Sequence, residues 1–451
     1  MPPDQFSATG VPGAPNIATP DRLVRAIGRW TLTALMINNM IGSGLFGLPS
    51  KAAELLGRAS PLGMLFAGAV TGVVMVCMAE VASYFTAAGG PYLYSRVAFG
   101  RFFGLQTGWI LWLARLTAAA ANANVFVLYL GEFWHRAKDP LPRLLILTAV
   151  IWGLAAINFF GVRQGARVSN VFAVAKLLPL LAVCIVGGIF LLTHAPVAET
   201  TPLLTPGIST WLKATLLLVF AYGGFEGALV SAGEARNPRR DARFAMFTSL
   251  LTCMVIFIVV QWVAMGTVPG VAHSERPLTD AARVFFGAGG AVLVTIGALV
   301  AALGNLSTNT LVVPRITFAM AEQGDFPAFF AAVHRRFRTP FVSIFVFALL
   351  IWAFALWGNF AWNVTLSAVA RLFYYGACCA ALPVLRRKMP TGALLRMPGG
   401  LWWAGIGVVL CAILLTQVDR GGSVILLATG AVAALNWLLV RNKQPMAGGV
   451  P

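Results

Sequence analysis

Long apolar segments recur along the whole sequence, and they constrain the fold more than any other feature. A helix needs about 20 mainly apolar residues to cross the hydrocarbon core of a bilayer, and segments of this kind alternate here with short polar loops. The pattern predicts an all-α polytopic membrane protein with about 12 transmembrane helices. The predicted spans are 28–55, 61–86, 101–131, 143–161, 167–193, 207–234, 243–268, 281–320, 341–358, 362–385, 401–418 and 422–440.

The composition agrees with this class and gives an orientation. Of the 451 residues, 59% are hydrophobic and 11% are charged, yet the formal net charge is +18. In a soluble protein such a charge would suggest nucleic-acid binding, whereas in a membrane protein basic residues concentrate in cytoplasmic loops. Loops on the N-terminal side of the membrane carry roughly twice as many Lys and Arg residues as the opposite loops. We therefore expect a multi-pass protein of the plasma or inner membrane, with both termini cytoplasmic and no nucleic-acid partner.

The first span contains a stretch that is poorly suited to a continuous helix. Gly42, Gly44, Gly47 and Pro49 fall within eight residues, and each glycine costs about 1 kcal/mol and each proline about 3 kcal/mol in a helix interior. Open backbone at membrane depth survives only where it is buried in protein or lines a cavity. A helix restarting here would offer N–H groups near Ser43 and Gly44, together with the Ser43 hydroxyl, to a carboxylate. The alternative is a glycine face for close helix packing.

The sixth span contains a second glycine interruption, at Gly223 and Gly224. A helix ending here would leave the carbonyls of Phe220, Ala221 and Gly223 free to accept hydrogen bonds from a substrate ammonium group. The first break therefore predicts the carboxylate half of an amino-acid site, and the second break predicts its amine half.

The residues around the second break suggest gating and coupling. Phe220, Tyr222 and Phe225 offer apolar or cation–π surface, although an ordinary aromatic packing face would show the same pattern. Glu226 is a carboxylate within a span, which is costly and therefore suggests a function. It could pair with a cation, respond to protons or stabilise the break.

The two interruptions lie five helices apart, in corresponding spans. Matching breaks of this kind are typical of secondary transporters built from inverted repeats, and a repeat of five helices necessarily inverts the second half. We expect the following organisation: a disordered cytoplasmic tail at 1–27, a first five-helix repeat at 28–193, an inverted repeat at 207–386, two additional helices at 400–440 and a cytoplasmic tail at 441–451.

Several charged residues lie within the predicted spans. Lys176 must find partners there, and it could occupy the place of a sodium ion or carry a proton; alternatively, it extends towards the nearby helix end. Arg115 could pair with a carboxylate or with the carbonyls of a broken helix. Arg315 and Arg371 are interpreted as structural contacts, and Glu80 near the inner end of the second span is open to a structural role.

The sequence predicts neither an enzyme nor a metal site. Its six cysteines all fall in apolar segments without a Cys-x-x-Cys pair, and its four histidines all fall in predicted loops. The cysteines are therefore interpreted as small buried apolar residues. Nucleotide-binding and metalloprotease motifs are absent from the sequence, so we expect no cofactor and no metal.

Four motifs together resemble the amino acid–polyamine–organocation (APC) superfamily over about residues 28–440. They are Ile41-Gly-Ser-Gly-Leu-Phe46, Ala79-Glu-Val-Ala-Ser83 with Ala88-Gly-Gly-Pro-Tyr-Leu-Tyr94, Phe220–Glu226 running into Glu234-Ala-Arg-Asn-Pro-Arg-Arg240, and Pro314–Pro327. One departure is Thr86-Ala87-Ala88, which replaces a proline found in many relatives. The family pattern assigns no role to Arg115; it could tilt specificity against cationic side chains, or be salt-bridged and silent.

The resemblance implies a LeuT-type 5+5 inverted repeat plus two C-terminal helices. It also implies a substrate carboxylate bound at the first break, an amine bound by carbonyls at the second, and aromatic gates on the sixth helix. Glu226 matches a proton-responsive glutamate of some exchangers, and Lys176 resembles a lysine whose ammonium replaces sodium. The implied substrate-binding residues are Met40, Ile41, Gly42, Ser43, Gly44, Phe220, Ala221, Gly223 and Phe225, and the implied gating or coupling residues are Lys176, Glu226, Tyr222 and Arg115.

Together these observations predict a sodium-independent, proton-coupled transporter of amino acids or related amines. The alternative is an amino-acid or polyamine exchanger without net ion coupling. A receptor or channel of the same fold is a third possibility, but two matched breaks favour alternating access around a central site.

Overall fold

The computed structural model describes residues 28–85, 90–160, 176–194, 196, 206–227, 238–390 and 392–441. The regular secondary structure of these ranges is α-helical, with short 3₁₀ turns between helices. The tail predicted at 1–27, all but the first residue of the tail predicted at 441–451, and the motif residues 86–89 and 228–237 lie outside the described residues. The helices are α1 (Arg29–Met40), α2 (Ser43–Leu56), α3 (Ser60–Ala82), α4 (Gly90–Phe99), α5 (Arg101–Leu130), α6 (Pro140–Phe160), α7 (Leu177–Thr193), α8 (Ile208–Tyr222), α9 (Pro238–Thr267), α10 (Pro277–Glu322), α11 (Phe341–Trp357), α12 (Phe360–Lys388), α13 (Gly400–Leu415) and α14 (Arg420–Val440).

The length and polarity of these helices identify a multi-pass membrane protein. Eight described helical stretches are long and apolar enough to cross a bilayer, and α7, α11 and α13 are shorter apolar helices. Large apolar side chains point outwards: Leu192 is 79% exposed and Trp402 81% exposed, while Asn158 and Gln261 are buried. A soluble protein rarely exposes contiguous apolar surface on this scale, so these helices present it to lipid.

The predicted spans correspond to helices in the described ranges, with informative differences. The first span is divided into α1 and α2, as its glycines predict. The eighth span is interrupted near its start: α10 consists of two helical segments that meet at Gly287, where φ is +68° and the backbone is not helical. For the fifth span the description begins at Lys176.

Three long helices, α5, α10 and α12, pack against the helices that begin or end at the glycine interruptions. α5 packs extensively against α12 and α10, and α8 packs against α2, α3 and α12. Small residues such as Ala114 and Ala118 on α5 are buried, and small side chains allow helices in a bilayer to approach closely. Where α5 and α12 meet, the Ser367 hydroxyl donates to the Ala114 carbonyl at 2.7 Å.

The buried carboxylate of Glu80 forms hydrogen bonds that connect α3 to α12 at a distance from the two breaks. Glu80 of α3 accepts two hydrogen bonds of 2.7 Å from the Arg386 guanidinium of α12. It also accepts one of 2.8 Å from the Met397 backbone N–H. These contacts favour the structural alternative for Glu80, because both carboxylate oxygens are paired with the end of α12 and with the segment between α12 and α13.

Candidate substrate site between two helix breaks

The first break separates α1 from α2 by two residues in extended conformation. Ile41 has φ −77° and ψ 103°, and Gly42 has φ −137° and ψ −156°. Because α2 begins anew at Ser43, the N–H groups of its first turn lack the carbonyl partners of a preceding turn. The positive end of the α2 dipole lies at the same place, so this break presents a site suited to an anion.

The second break ends α8 at Tyr222. Gly223 is extended, with φ −73° and ψ 160°, and Gly224 has φ +113°. The Gly224 N–H donates to Oε2 of Glu226 at 2.8 Å. The Phe220 carbonyl accepts from the Gly223 N–H at 3.2 Å, which uses one of its two lone pairs and leaves the other for a ligand.

The two breaks touch each other, and glycine is what permits the contact. A Cβ atom placed on Gly224 would lie 2.3 Å from the Asn39 carbonyl oxygen, and one on Gly44 would lie 3.0 Å from the Cα of Ala221. Gly224 also has a positive φ, which residues with a Cβ rarely adopt. The sequence predicts breaks at these positions, and the structure brings them into direct backbone contact.

A cavity of about 150 Å³ opens where the breaks meet. Helix α5 contributes three residues at helical spacing, and α10 contributes a polar face followed by two valines. Seven residues predicted to bind substrate line it: Met40, Gly42, Ser43, Gly44, Phe220, Ala221 and Gly223. The other lining residues are Asn39, Arg115, Ala118, Asn122, Gly224, Gly227, Asn305, Thr308, Asn309, Val312, Val313 and Arg371.

Other predicted residues lie beside the cavity rather than in its wall. The Tyr222 hydroxyl donates to the Met64 carbonyl of α3 at 2.8 Å, and the Phe225 ring packs against Tyr375 with centroids 5.6 Å apart. Both side chains are buried. In this conformation their contacts are those of helix packing, so their predicted contributions to gating and binding remain predictions.

Lys176 lies directly against the first break. Its Nζ donates hydrogen bonds of 2.6 Å to the Asn38 and Ile41 carbonyls, and its side chain is buried. The carbonyls at the end of α1 have no partners within the helix and carry the negative end of its dipole. A fixed ammonium group therefore satisfies the end of α1, and Ile41 contributes a carbonyl to this contact.

Glu226 lies beneath the second break, within reach of two arginines. Its Oε1 is 3.3 Å from Nη2 of Arg115 and 4.0 Å from Nη1 of Arg371. The Tyr374 hydroxyl donates to Oε1 at 3.0 Å and the Tyr375 hydroxyl to Oε2 at 3.4 Å. Glu226 therefore joins α5, α12 and the second break.

Several polar atoms in or beside the cavity wall make no hydrogen bond within the described part of the chain. They include Oγ of Ser43, Oδ1 of Asn122, and Nε and Nη1 of Arg371. Ser43 is 1% exposed and Arg371 5% exposed. Buried polar groups in native proteins are normally paired, so these atoms form a site that still needs a hydrogen-bonding partner.

Sequence reasoning missed Arg371 as a cavity residue. The sequence predicts a structural contact for Arg371, as for Arg315, but the Arg371 guanidinium lies 5.2 Å from the Phe220 ring centroid and lines the cavity. Its position in the middle of a predicted span was the available signal. The sequence of the eighth span contains a polar run. Its spacing of three and four residues places three cavity residues on one helix face, namely Asn305, Thr308 and Asn309.

Comparison with known proteins shows the family. Residues 27–436 match the model of a family described as "Amino acid permease". An uncharacterized transporter of Mycobacterium tuberculosis is 28% identical over 443 residues, which cover 95% of each chain. An arginine/agmatine antiporter of Chlamydia abortus is 28% identical over 76% of this chain and 74% of its own.

A cationic amino acid transporter, number 4 and vacuolar, of Arabidopsis thaliana is 26% identical over 83% of this chain and 65% of its own length. The resemblance to the APC superfamily is thus confirmed over nearly the whole sequence. Because the family model covers the broken helices and every helix around the cavity, the chain belongs to the amino acid permease family of the APC superfamily.

Proposed function

We propose that the protein is a sodium-independent secondary transporter that carries amino acids across the plasma or inner membrane by alternating access, coupled to protons. The observation that supports this most strongly is the cavity enclosed by two helix breaks in mutual contact. Open backbone at membrane depth is typical of substrate sites in transporters built from inverted repeats. The proposal includes the LeuT-type arrangement of twelve spans, with both termini cytoplasmic.

In this proposal the first break binds the substrate carboxylate. The N–H groups at Ser43 and Gly44 lie at the positive end of the α2 dipole, and the unpaired Ser43 hydroxyl adds a donor. Met40, Gly42 and Ala221 shape the wall. The Phe220 and Ala221 carbonyls at the end of α8 accept from the substrate ammonium group.

Lys176 supports sodium independence. Its ammonium group already contacts two carbonyls of the first break, and a metal cation would require oxygen ligands of the same kind. Loss of a proton from this group would loosen its contact with the end of α1, and gain of a proton would tighten it. Protonation of Lys176 would in this way change the shape of the first break.

A second candidate is an exchanger of amino acids or polyamines without net ion coupling. The relative from Chlamydia abortus named as an arginine/agmatine antiporter favours it. The two candidates differ in one respect: net uptake against a gradient requires coupling, whereas exchange requires substrate on both sides.

Uptake by the purified protein in liposomes separates these candidates. An inward proton gradient without sodium should drive net accumulation of a radiolabelled amino acid, and a protonophore should abolish it. Uptake that appears only when unlabelled amino acid is inside would support exchange and overturn proton coupling. Absence of uptake and of exchange for every amino acid and amine would refute the transport proposal.

A further inference from the structure

We propose that the cavity selects amino acids that carry a second, anionic group, namely acidic amino acids, over neutral and cationic ones. This inference rests on the proposed transport function and concerns its substrate class. This substrate class differs from those in the names of two relatives. One is named for arginine and agmatine, and the other for cationic amino acids.

The first observation is the number and position of the charges. Arg115 on α5 and Arg371 on α12 both line the cavity, whereas Glu226 does not. Among the described residues, two guanidinium groups thus meet one carboxylate, and the ammonium group of Lys176 lies behind the first break, where it donates to two carbonyls. The wall therefore carries an excess of positive charge that a substrate can balance.

The second observation is that Glu226 satisfies neither arginine fully. Its oxygens accept hydrogen bonds from the Gly224 N–H, Tyr374 and Tyr375, and they approach the guanidinium groups only to 3.3 and 4.0 Å. By contrast, the pair of Glu80 and Arg386 is closed by two hydrogen bonds of 2.7 Å. Carboxylate–guanidinium pairs favour that bidentate geometry, so the looser contact leaves arginine donors available.

The third observation concerns these available donors. Nε and Nη1 of Arg371 are buried and make no hydrogen bond within the described ranges, although the side chain is only 6% exposed. A guanidinium group offers five N–H donors and no acceptor, and burying charged donors without partners is costly. An anionic group in the cavity would supply the missing acceptors.

The same geometry disfavours a cationic side chain. The Arg371 guanidinium lies directly against the second break: a Cβ atom on Gly223 would fall 1.0 Å from its Nη1. It also covers the Phe220 ring at 5.2 Å, so the aromatic face that could bind a substrate cation is already occupied by an internal one. An additional ammonium or guanidinium group would meet like charges at close range in a poorly solvated site.

An exchange assay in liposomes with a matched panel tests the inference. Liposomes loaded with one unlabelled solute each would be assayed for counterflow, comparing L-glutamate with L-glutamine, L-aspartate with L-asparagine, and both pairs with L-lysine, L-arginine and agmatine. Succinate, which has two carboxylates and no amine, tests whether the ammonium group is also required. We expect kcat/KM to be at least about 10-fold higher for each acid than for its amide, with little exchange of cations.

Variants identify the group that makes the selection. Arg371→Gln should lower the glutamate-to-glutamine ratio at least about 10-fold, and Arg371→Lys should restore most of it because it keeps the charge. Arg115→Gln should lower the ratio in the same direction. The matched control is Arg136→Gln, since Arg136 is exposed in a short 3₁₀ helix between α5 and α6 and its removal should leave the ratio unchanged.

The substrate preference and the effect of Arg371→Gln each decide a separate part of the inference. Preference for neutral or cationic amino acids would refute the inference while leaving transport intact, and exchange of none of the solutes would refute the transport proposal and the inference with it. If Arg371→Gln lowered exchange of both members of a pair equally, Arg371 would be structural only. Should that variant fail to fold, as a thermal-unfolding scan in detergent would show, Arg115→Gln tests the same selection by charge: an unchanged glutamate-to-glutamine ratio in that variant would overturn it.

Discussion

Replacement of Gly224 by alanine tests the contact between the two breaks. Gly224 has φ +113°, and holding a residue with a Cβ in such a conformation costs of order 1–3 kcal/mol. In addition, the new methyl group would lie 2.3 Å from the Asn39 carbonyl oxygen. That neighbour is backbone and cannot rotate away, so overpacking adds about 1–3 kcal/mol.

Gly100→Ala provides the control that separates these two costs. Gly100 has φ +96° and therefore carries a similar conformational penalty, but a Cβ atom there meets no atom within 4 Å. The difference between the two variants isolates the contact with Asn39. If the arrangement with the two breaks in contact is destabilised by about 1–3 kcal/mol, its population falls roughly 5- to 150-fold, and we expect the rate of transport by Gly224→Ala to fall by the same factor.

The assay is initial counterflow in liposomes, normalised to the amount of folded protein in the membrane. Thermal unfolding in detergent at one fixed scan rate accompanies it, because unfolding of large proteins is often irreversible. Equal transport and equal thermal stability of Gly224→Ala and Gly100→Ala would show that the breaks do not press against each other, and the reasoning would be refuted.

Three further variants address separate parts of the account. Ser43→Leu should abolish substrate binding in the same liposomes by filling the first break, whereas Ser43→Ala should only weaken it; wild-type uptake by the leucine variant would contradict the carboxylate site. Lys176→Met should remove the dependence of uptake on the proton gradient, and the exposed Lys213→Met should not; unchanged pH dependence would exclude Lys176 as the coupling group. Glu80→Gln should lower stability by about 3–5 kcal/mol, because it leaves Arg386 without its buried partner, and a thermal scan that matched the wild type would show the pair to be dispensable.

The position of the breaks was predictable from sequence because glycine has a local cost. Gly42, Gly44, Gly223 and Gly224 are unfavourable in any continuous helix, whatever surrounds them, so the sequence alone reports that the helix opens. Hydropathy predicts the spans for a similarly local reason. Both the helix cost of glycine and the apolar length of a span are read from the sequence itself, without knowledge of which residues lie nearby in the folded protein.

The partners of the charged residues could not be predicted in the same way. Whether an arginine such as Arg371 faces lipid headgroups, a neighbouring helix or a cavity depends on the rotation of α12 within the bundle, and helical spacing alone does not fix that rotation. Arg115 was recognised as deep within a span, but its approach to Glu226 depends on how α5 meets the second break. Lys176 is recognised from sequence as a charge within a span, but its two carbonyl partners depend on where the start of α7 lies relative to the end of α1.

The central claim is that substrate occupies the cavity between the breaks, and labelling of a cysteine there tests it most directly. Ser43→Cys would be made in a Cys184→Ser background, because the other five native cysteines are buried, with Lys138→Cys as an exposed control. Reaction with a small maleimide would be followed in liposomes with and without the amino acid that exchanges fastest in the panel. We predict that this amino acid slows labelling at position 43 in proportion to its occupancy and leaves position 138 unaffected. Labelling of position 43 at the same rate with and without a substrate that the variant still transports would contradict the account.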